Sequence, residues 1–194
     1  ISRIPTITIS SNKISFSSKM IKQFDLEQKK SADIFYLDED PYSIAFKFYN
    51  YGESDTAPRI TKTVSGSFSM AAGEYVAARP VLTKIAECKH RKDRLFEVTR
   101  DEDDSSMYIA TLRPDFEISY DKYDFNLIDK NIKGIYRYIN SKREIIYIGQ
   151  GNIYDRLKDS SRKNWDISRV ELSILDDKSA CLKWEKYHLD KYKK

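Results

Sequence analysis

Two runs decide how this chain folds: Ile132-Lys133-Gly134-Ile135-Tyr136-Arg137-Tyr138-Ile139 and Glu144-Ile145-Ile146-Tyr147-Ile148-Gly149. Both are rich in β-branched and aromatic residues, and Asn140-Ser141-Lys142-Arg143 between them is a natural hairpin turn. Side chains alternate along a strand, so Tyr136 and Tyr138 share one face of the first run. On the second, Ile146 and Ile148 are expected to face opposite to Ile145 and Tyr147. A two-stranded ribbon then brings Tyr136 and Tyr147 to the same side. Gly134 and Gly149 bracket the pair where bulk would hinder a close approach of backbone or ligand.

Downstream, Asn152 is a sound N-cap for a helix that carries Arg156 one turn in, with Asp155 resembling a shortened capping box. A guanidinium there can hold a phosphate with two hydrogen bonds, although exposed helical arginines are common. The stretch from Arg169 to Leu175 predicts a third strand, with Val170, Leu172 and Ile174 on one face. A final helix is expected from Ser179 to Lys194. At about 100° per residue, Cys181, Trp184, His188, Leu189 and Tyr192 gather into one mostly apolar face, and Glu185 projects into its middle. A carboxylate on an inward face must be paired, protonated or bound to a metal. A rim glutamate bonded to a nearby arginine would give the same pattern.

Gly134-Ile135-Tyr136, then Tyr147-Ile148-Gly149, then Arg156 and Glu185, resembles the GIY-YIG nuclease family over about Ile132 to Lys194. The resemblance implies an α+β fold: a small three-stranded antiparallel sheet flanked by helices, here preceded by a mixed, β-rich N-terminal domain. It also implies a metal-dependent endonuclease that hydrolyses DNA phosphodiester bonds. In that reading Glu185 binds a single divalent ion, Mg²⁺ or Mn²⁺, which prefers oxygen ligands. Tyr136 is the general base, Tyr147 hydrogen-bonds the phosphate or the water, and Arg156 neutralises charge on the phosphoryl oxygens. Gly149, Lys142, Arg162 and Lys163 are the candidate substrate-binding positions. Restriction, mobile-element and phage enzymes all fit. The alternative is a nucleic-acid-binding module with a degenerate, inactive nuclease site.

Three positions depart from the family pattern. Many members carry a histidine or tyrosine where this chain has Ser160. The repair subunits carry a lysine where it has Gln150. The sequence also stops at Lys194, short of where an asparagine often follows the glutamate. Lys142, Tyr138 and His188 are candidates to fill the gap, with a core-facing ring the simpler use of His188.

Upstream, Ile7-Thr8-Ile9 and Ile14-Ser15-Phe16 predict strands, and Met20 to Leu26 a helical turn or two. Residues 34–37 and 43–48 predict a hairpin across Asp38-Glu39-Asp40-Pro41. The pattern then runs again. Ser65-Gly66-Ser67-Phe68-Ser69 is similar to Ser15-Phe16-Ser17, a helix is expected from Pro80 to Cys88, and 95–98 and 108–112 flank an acidic turn. An internal duplication follows from this order. The half resembles the swapped-hairpin DNA-binding fold of bacterial transition-state regulators, by pattern alone, and implies a DNA-recognition role. A small mixed β domain of other ancestry fits the same strands. The expected division is 1–119, a linker at 120–131 that lacks periodicity, and 132–194.

Charge divides the chain in the same way. Positions 130–194 hold 16 Lys and Arg against 9 Asp and Glu, about +7, and the first 129 hold 18 against 21, about −3. A basic third suits a polyanion such as DNA, because neutralised phosphates release counterions; a solvated basic surface would look alike. No apolar run nears the roughly 20 residues of a membrane span. No secretion signal is read, and the first residue, Ile1, suggests a trimmed start. Cys88 and Cys181 stand far apart, which argues against a disulfide framework or zinc site and for a reducing, cytoplasmic setting. A homodimer on a double-stranded target is also expected.

Overall fold

The computed structural model describes residues 4–37, 40–63 and 67–192. The chain divides into two compact units, Ile1–Arg113 and Pro114–Lys194.

The first unit is one antiparallel sheet of eight strands. In chain order these are β1 (Thr6–Ile9), β2 (Lys13–Phe16), β3 (Ser31–Leu37), β4 (Asp40–Tyr49), β5 (Ile60–Lys62), β6 (Phe68–Ala71), β7 (Leu95–Arg100) and β8 (Met107–Thr111). Helix α1 (Ser18–Gln23) follows β2, and α2 (Gly73–Ala77) and α3 (Pro80–Glu87) follow β6. Ser17 caps α1 by accepting from Met20 N–H, and Pro80 opens α3 where its missing N–H costs nothing. The strand order is β3-β4-β8-β7-β1-β2-β6-β5. An antiparallel bridge, Ser31 to Arg59, brings the two ends together and nearly closes the sheet into a barrel. Alternation sends Ile7, Ile9, Ile14, Phe16, Phe46 and Met70 inward, all buried.

The two halves of this barrel are related by an approximate two-fold. Exchanging β1 with β5, β2 with β6, β3 with β7 and β4 with β8 leaves the set of neighbours unchanged, once the Ser31 bridge is counted with β5. The register agrees. Phe16 pairs with Phe68, the two residues the sequence repeat aligns, and Ile44-Ala45 pairs crosswise with Ile109-Ala110. The turn at Asp38-Glu39 and the Ser65-Gly66 part of the repeat lie outside the described residues.

The second unit corrects the fold expected for the C-terminal part. Its sheet has four strands: β9 (Ile118–Asp121), β10 (Lys133–Ile139), β11 (Ile145–Asn152) and β12 (Arg169–Ile174), in the order β11-β10-β12-β9. Strand β9 pairs with β12 from Arg169–Asp121 to Leu172–Ile118. Phe116, Ile118 and Tyr120 alternate with polar residues, but the run holds only three apolar positions, and burial along β9 alternates between half-buried and exposed, as suits a short edge strand. Residues 122–127, read as linker, form a 3-10 segment. Two helices complete the unit, α4 (Ile153–Leu157) and α5 (Lys178–Tyr192). The last two residues of the expected final helix lie outside the described residues.

The sheet has two packed faces. One buries Tyr136, Tyr138, Val170 and Leu172 with Ile153 of α4. The other buries Ile135, Ile148 and Phe116 with Cys181 of α5, and Trp184 and Leu189 pack against them. A bulge between Tyr138 and Ile139 shifts the pairing, so Ile145 joins the Ile148 face and not, as strict alternation predicts, the Tyr147 face. Among the described residues no helix is long and apolar enough to cross a membrane.

Candidate active site

Register builds the site. Tyr136 lies opposite Gly149 and Tyr138 opposite Tyr147, so three phenols and the glycine share one face of β10 and β11. Their ring centroids are 5.1 Å (Tyr136–Tyr138), 5.9 Å (Tyr136–Tyr147) and 5.6 Å (Tyr138–Tyr147) apart. A Cβ on Gly149 would fall 2.9 Å from both the Tyr136 and the Tyr147 hydroxyl oxygens. The two hydroxyls therefore converge on the space the absent side chain leaves. Gly134 is needed for a different reason: a Cβ there would lie 1.9 Å from the Ser173 carbonyl oxygen of β12, so any side chain would break the sheet.

Arg162 ties the phenols together. It sits on a 3-10 turn, Ser160–Arg162, and is buried. Its Nη1 donates to Tyr136 Oη at 3.2 Å and to Tyr138 Oη at 3.1 Å, and its Nη2 donates to Tyr147 Oη at 3.3 Å. The guanidinium carbon lies 4.5 Å from the Tyr147 ring centroid and 5.4 Å from that of Trp165. A planar five-donor fork suits this task, whereas a lysine ammonium would not span three acceptors in one plane. Burial pushes the Tyr136 hydroxyl well above its ordinary pKa, and the Arg162 hydrogen bond opposes without cancelling it. Tyr136 is thus a neutral phenol at pH 7. Its oxygen accepts from Arg162, and it shares a hydrogen bond with the Tyr138 hydroxyl.

Arg156 and Glu185 stand on different helices, and α5 packs on the sheet face opposite the three phenols. Arg156 is exposed on α4, whose N-cap Asn152 accepts from Asp155 N–H at 2.9 Å. Beside it Asn152, Asp155 and Asp159 line a shallow cavity of about 430 Å³. Glu185 is half-buried on α5. Both helices pack against β11, the edge strand of the sheet. Burial raises the Glu185 pKa and the Arg156 charge draws it partly back, so the two groups feel each other.

No protein family, curated protein or solved structure matches the chain.

The remaining expected positions scatter. Lys142 is exposed on the hairpin turn, where its N–H donates to Asn140 Oδ1 at 3.0 Å, and Lys163 is exposed just past the 3-10 turn. Neither bonds the phenols among the described residues. His188 is fully buried, with Nε2 2.8 Å from the Pro114 carbonyl oxygen and its ring 4.4 Å from Phe116, so it is a core residue. Ser160 is exposed. Of the three gap-filling candidates only Tyr138 joins the cluster, through the same Nη1 that holds Tyr136. Its place was readable from the two-residue spacing to Tyr136. Sequence reasoning missed Trp165, which stands edge-on to Tyr147 at 5.6 Å, because a tryptophan in a polar loop carries no periodic signal.

A divalent ion would find one hard ligand here. Glu185 has no hydrogen bond to a described residue, so both carboxylate oxygens stay available, and an oxygen donor half removed from water suits Mg²⁺ or Mn²⁺. Among the described residues no group of three or more His, Cys, Asp or Glu side chains assembles. A cation held by Glu185 would keep most of its waters, as Mg²⁺ commonly does.

Proposed function

We propose that the second unit is a divalent-metal-dependent nuclease that hydrolyses DNA phosphodiester bonds. The observation that carries the reading is the convergence of the Tyr136 and Tyr147 hydroxyls over Gly149. Such an arrangement offers two O–H donors, pre-oriented by Arg162, to a tetrahedral oxyanion approaching the glycine backbone. Donors fixed before the reaction stabilise developing charge without reorganisation. Arg156, exposed on α4, would add a cation for the same oxygens. Glu185 would hold the ion, which when bound polarises the scissile phosphate and eases departure of the 3′ oxygen.

The same geometry refines the role of Tyr136. A buried phenol with a raised pKa is a weak proton acceptor at neutral pH. Loss of its proton becomes easier only as cations gather around it, and Arg162 is one already in contact. Tyr136 therefore acts, while protonated, as a positioned hydrogen-bond donor to the attacking water or phosphate.

A second reading, a binding module with an inactive site, draws on Ser160, which is exposed and leaves the family's usual histidine or tyrosine unfilled at that position. Nicking of supercoiled plasmid separates the two. The nuclease produces open circles with Mg²⁺ or Mn²⁺ and none with a chelator. Tight DNA binding without nicking under any divalent ion would favour the binding module. One such site cuts one strand at a time, so a double-strand break would require a second copy of the chain or a second encounter.

A further inference from the structure

The first unit has a groove that the proposed nuclease chemistry does not use. It measures about 850 Å³ and lies on the outer surface of β1, β2 and β6 and the loop before β7. Strand alternation explains its character. Where Ile7, Ile14 and Phe68 point into the barrel, their neighbours Thr8, Ser15 and Ser69 point out and line the groove with hydroxyls. Four cations stand around them: Lys13, Lys19, Arg91 and Lys92. All four are exposed, none is ion-paired among the described residues, and no carboxylate lines the groove.

The first unit holds acids and bases in near balance, 17 Lys and Arg against 16 Asp and Glu over residues 1–113, yet the charged residues that line the groove are all bases; exposed Glu97 stands opposite Thr6 across the β1–β7 pair. Phe16 and Leu95 are its only apolar side chains, and the rest of its apolar surface comes from the carbon atoms of the Thr, Ser, Lys and Arg residues around them. Lysine and arginine charges over a floor of hydroxyl donors are the groups that hold a phosphate–sugar backbone. We propose that this groove binds the phosphodiester backbone of DNA and supplies the first unit's share of affinity for the substrate. The choice of DNA rests on the nuclease reading; the polyanion chemistry of the groove does not.

The test uses the full chain carrying Glu185→Ala, so that cleavage cannot blur binding. Affinity for a duplex oligonucleotide is measured by fluorescence anisotropy across a salt series. Each phosphate contact contributes about 0.9 to the slope of log K against log salt. Replacing Lys13, Lys19, Arg91 and Lys92 with alanine should weaken binding by about tenfold or more at low salt and flatten the slope by about three to four. A charge-matched control, Lys22, Lys30, Lys84 and Lys89 to alanine, should leave the slope within about one of the parent. Equal slopes for the two variants would overturn the groove as a DNA site. So would loss of binding to anionic lipid vesicles with DNA affinity unchanged. Plasmid nicking by the otherwise unaltered chain is scored separately: no nicking with the groove effect intact would sink the nuclease reading and leave this site standing.

Discussion

Removing the Arg162 guanidinium would leave the buried Tyr136 and Tyr138 oxygens, and the oxygen of half-buried Tyr147, without their shared donor. Hydrogen bonds from a charged donor contribute more than neutral ones, and Arg162→Met should cost about 3 kcal/mol in urea denaturation. Arg162→Lys should recover only part of that loss, since an ammonium cannot copy the planar fork. Tyr136 gives a pH signature. Its folded pKa is raised, so above about pH 10 the folded state keeps a proton that the unfolded chain has released. Proton binding by the folded state then exceeds that of the unfolded state, and stability must fall as pH rises through that range. Tyr136→Phe should lose less stability than the parent between pH 9 and 11, measured by thermal melting. An identical decline in both would show that Tyr136 is not the buried group responsible. At this scale the sequence was partly readable. The tyrosines and glycines follow from spacing, while the hub role of Arg162 depends on a 3-10 turn with no periodic pattern.

At the scale of elements, the hairpin of β10 and β11 rests on glycine at 149. A Cβ there would also meet a Tyr147 ring carbon at 2.5 Å, so one ring must move. Gly149→Ala should cost about 1–3 kcal/mol of overpacking strain and separate the two hydroxyls. Plasmid nicking should fall much further than stability does; full activity would show that the convergence over Gly149 is not used. The stretch before β9 makes a complementary case. Phe116 is fully buried at a positive φ of 57°, its N–H donates to Ser173 Oγ at 2.9 Å, and its ring lies 4.7 Å from the Arg137 guanidinium carbon. Phe116→Ala should cost about 3–5 kcal/mol, read from the denaturant midpoint. Phe116, Ile118 and Tyr120 alternate at period two over only three apolar positions, and the expected division between 119 and 120 cut through them, so this anchor and its strand were not read as one element. The central strands β10 and β12 were legible because both of their faces are largely buried, and β11 because its apolar residues are dense. The other edge strand, β9, with one face half-buried and one exposed, was not.

At the scale of the whole molecule the charge asymmetry seen along the sequence does not follow the folded units. Residues 1–113 hold 17 Lys and Arg against 16 Asp and Glu, and residues 114–194 hold 17 against 14, because the acidic stretch 114–129 belongs to the second unit. What net charge hides is that the nearly neutral first unit carries a basic groove, visible only once alternation along β1, β2 and β6 is laid out in three dimensions. The duplication was legible as an order of elements with few shared residues. Its near-closed barrel was not, because the pairing of β4 with β8 and β2 with β6 joins segments far apart in the chain. Symmetric pairing of Phe16 with Phe68 is the link between the repeat in sequence and the two-fold in space.

Cleavage of supercoiled plasmid by the Glu185→Ala variant, alongside the parent chain in Mg²⁺ or Mn²⁺, tests the central claim most directly. The account predicts that the parent nicks the plasmid, that the variant does not, and that both bind duplex DNA with affinities within about threefold. Nicking by the variant at the parent's rate would contradict the assignment of Glu185 as the metal ligand and, with it, the proposed active site.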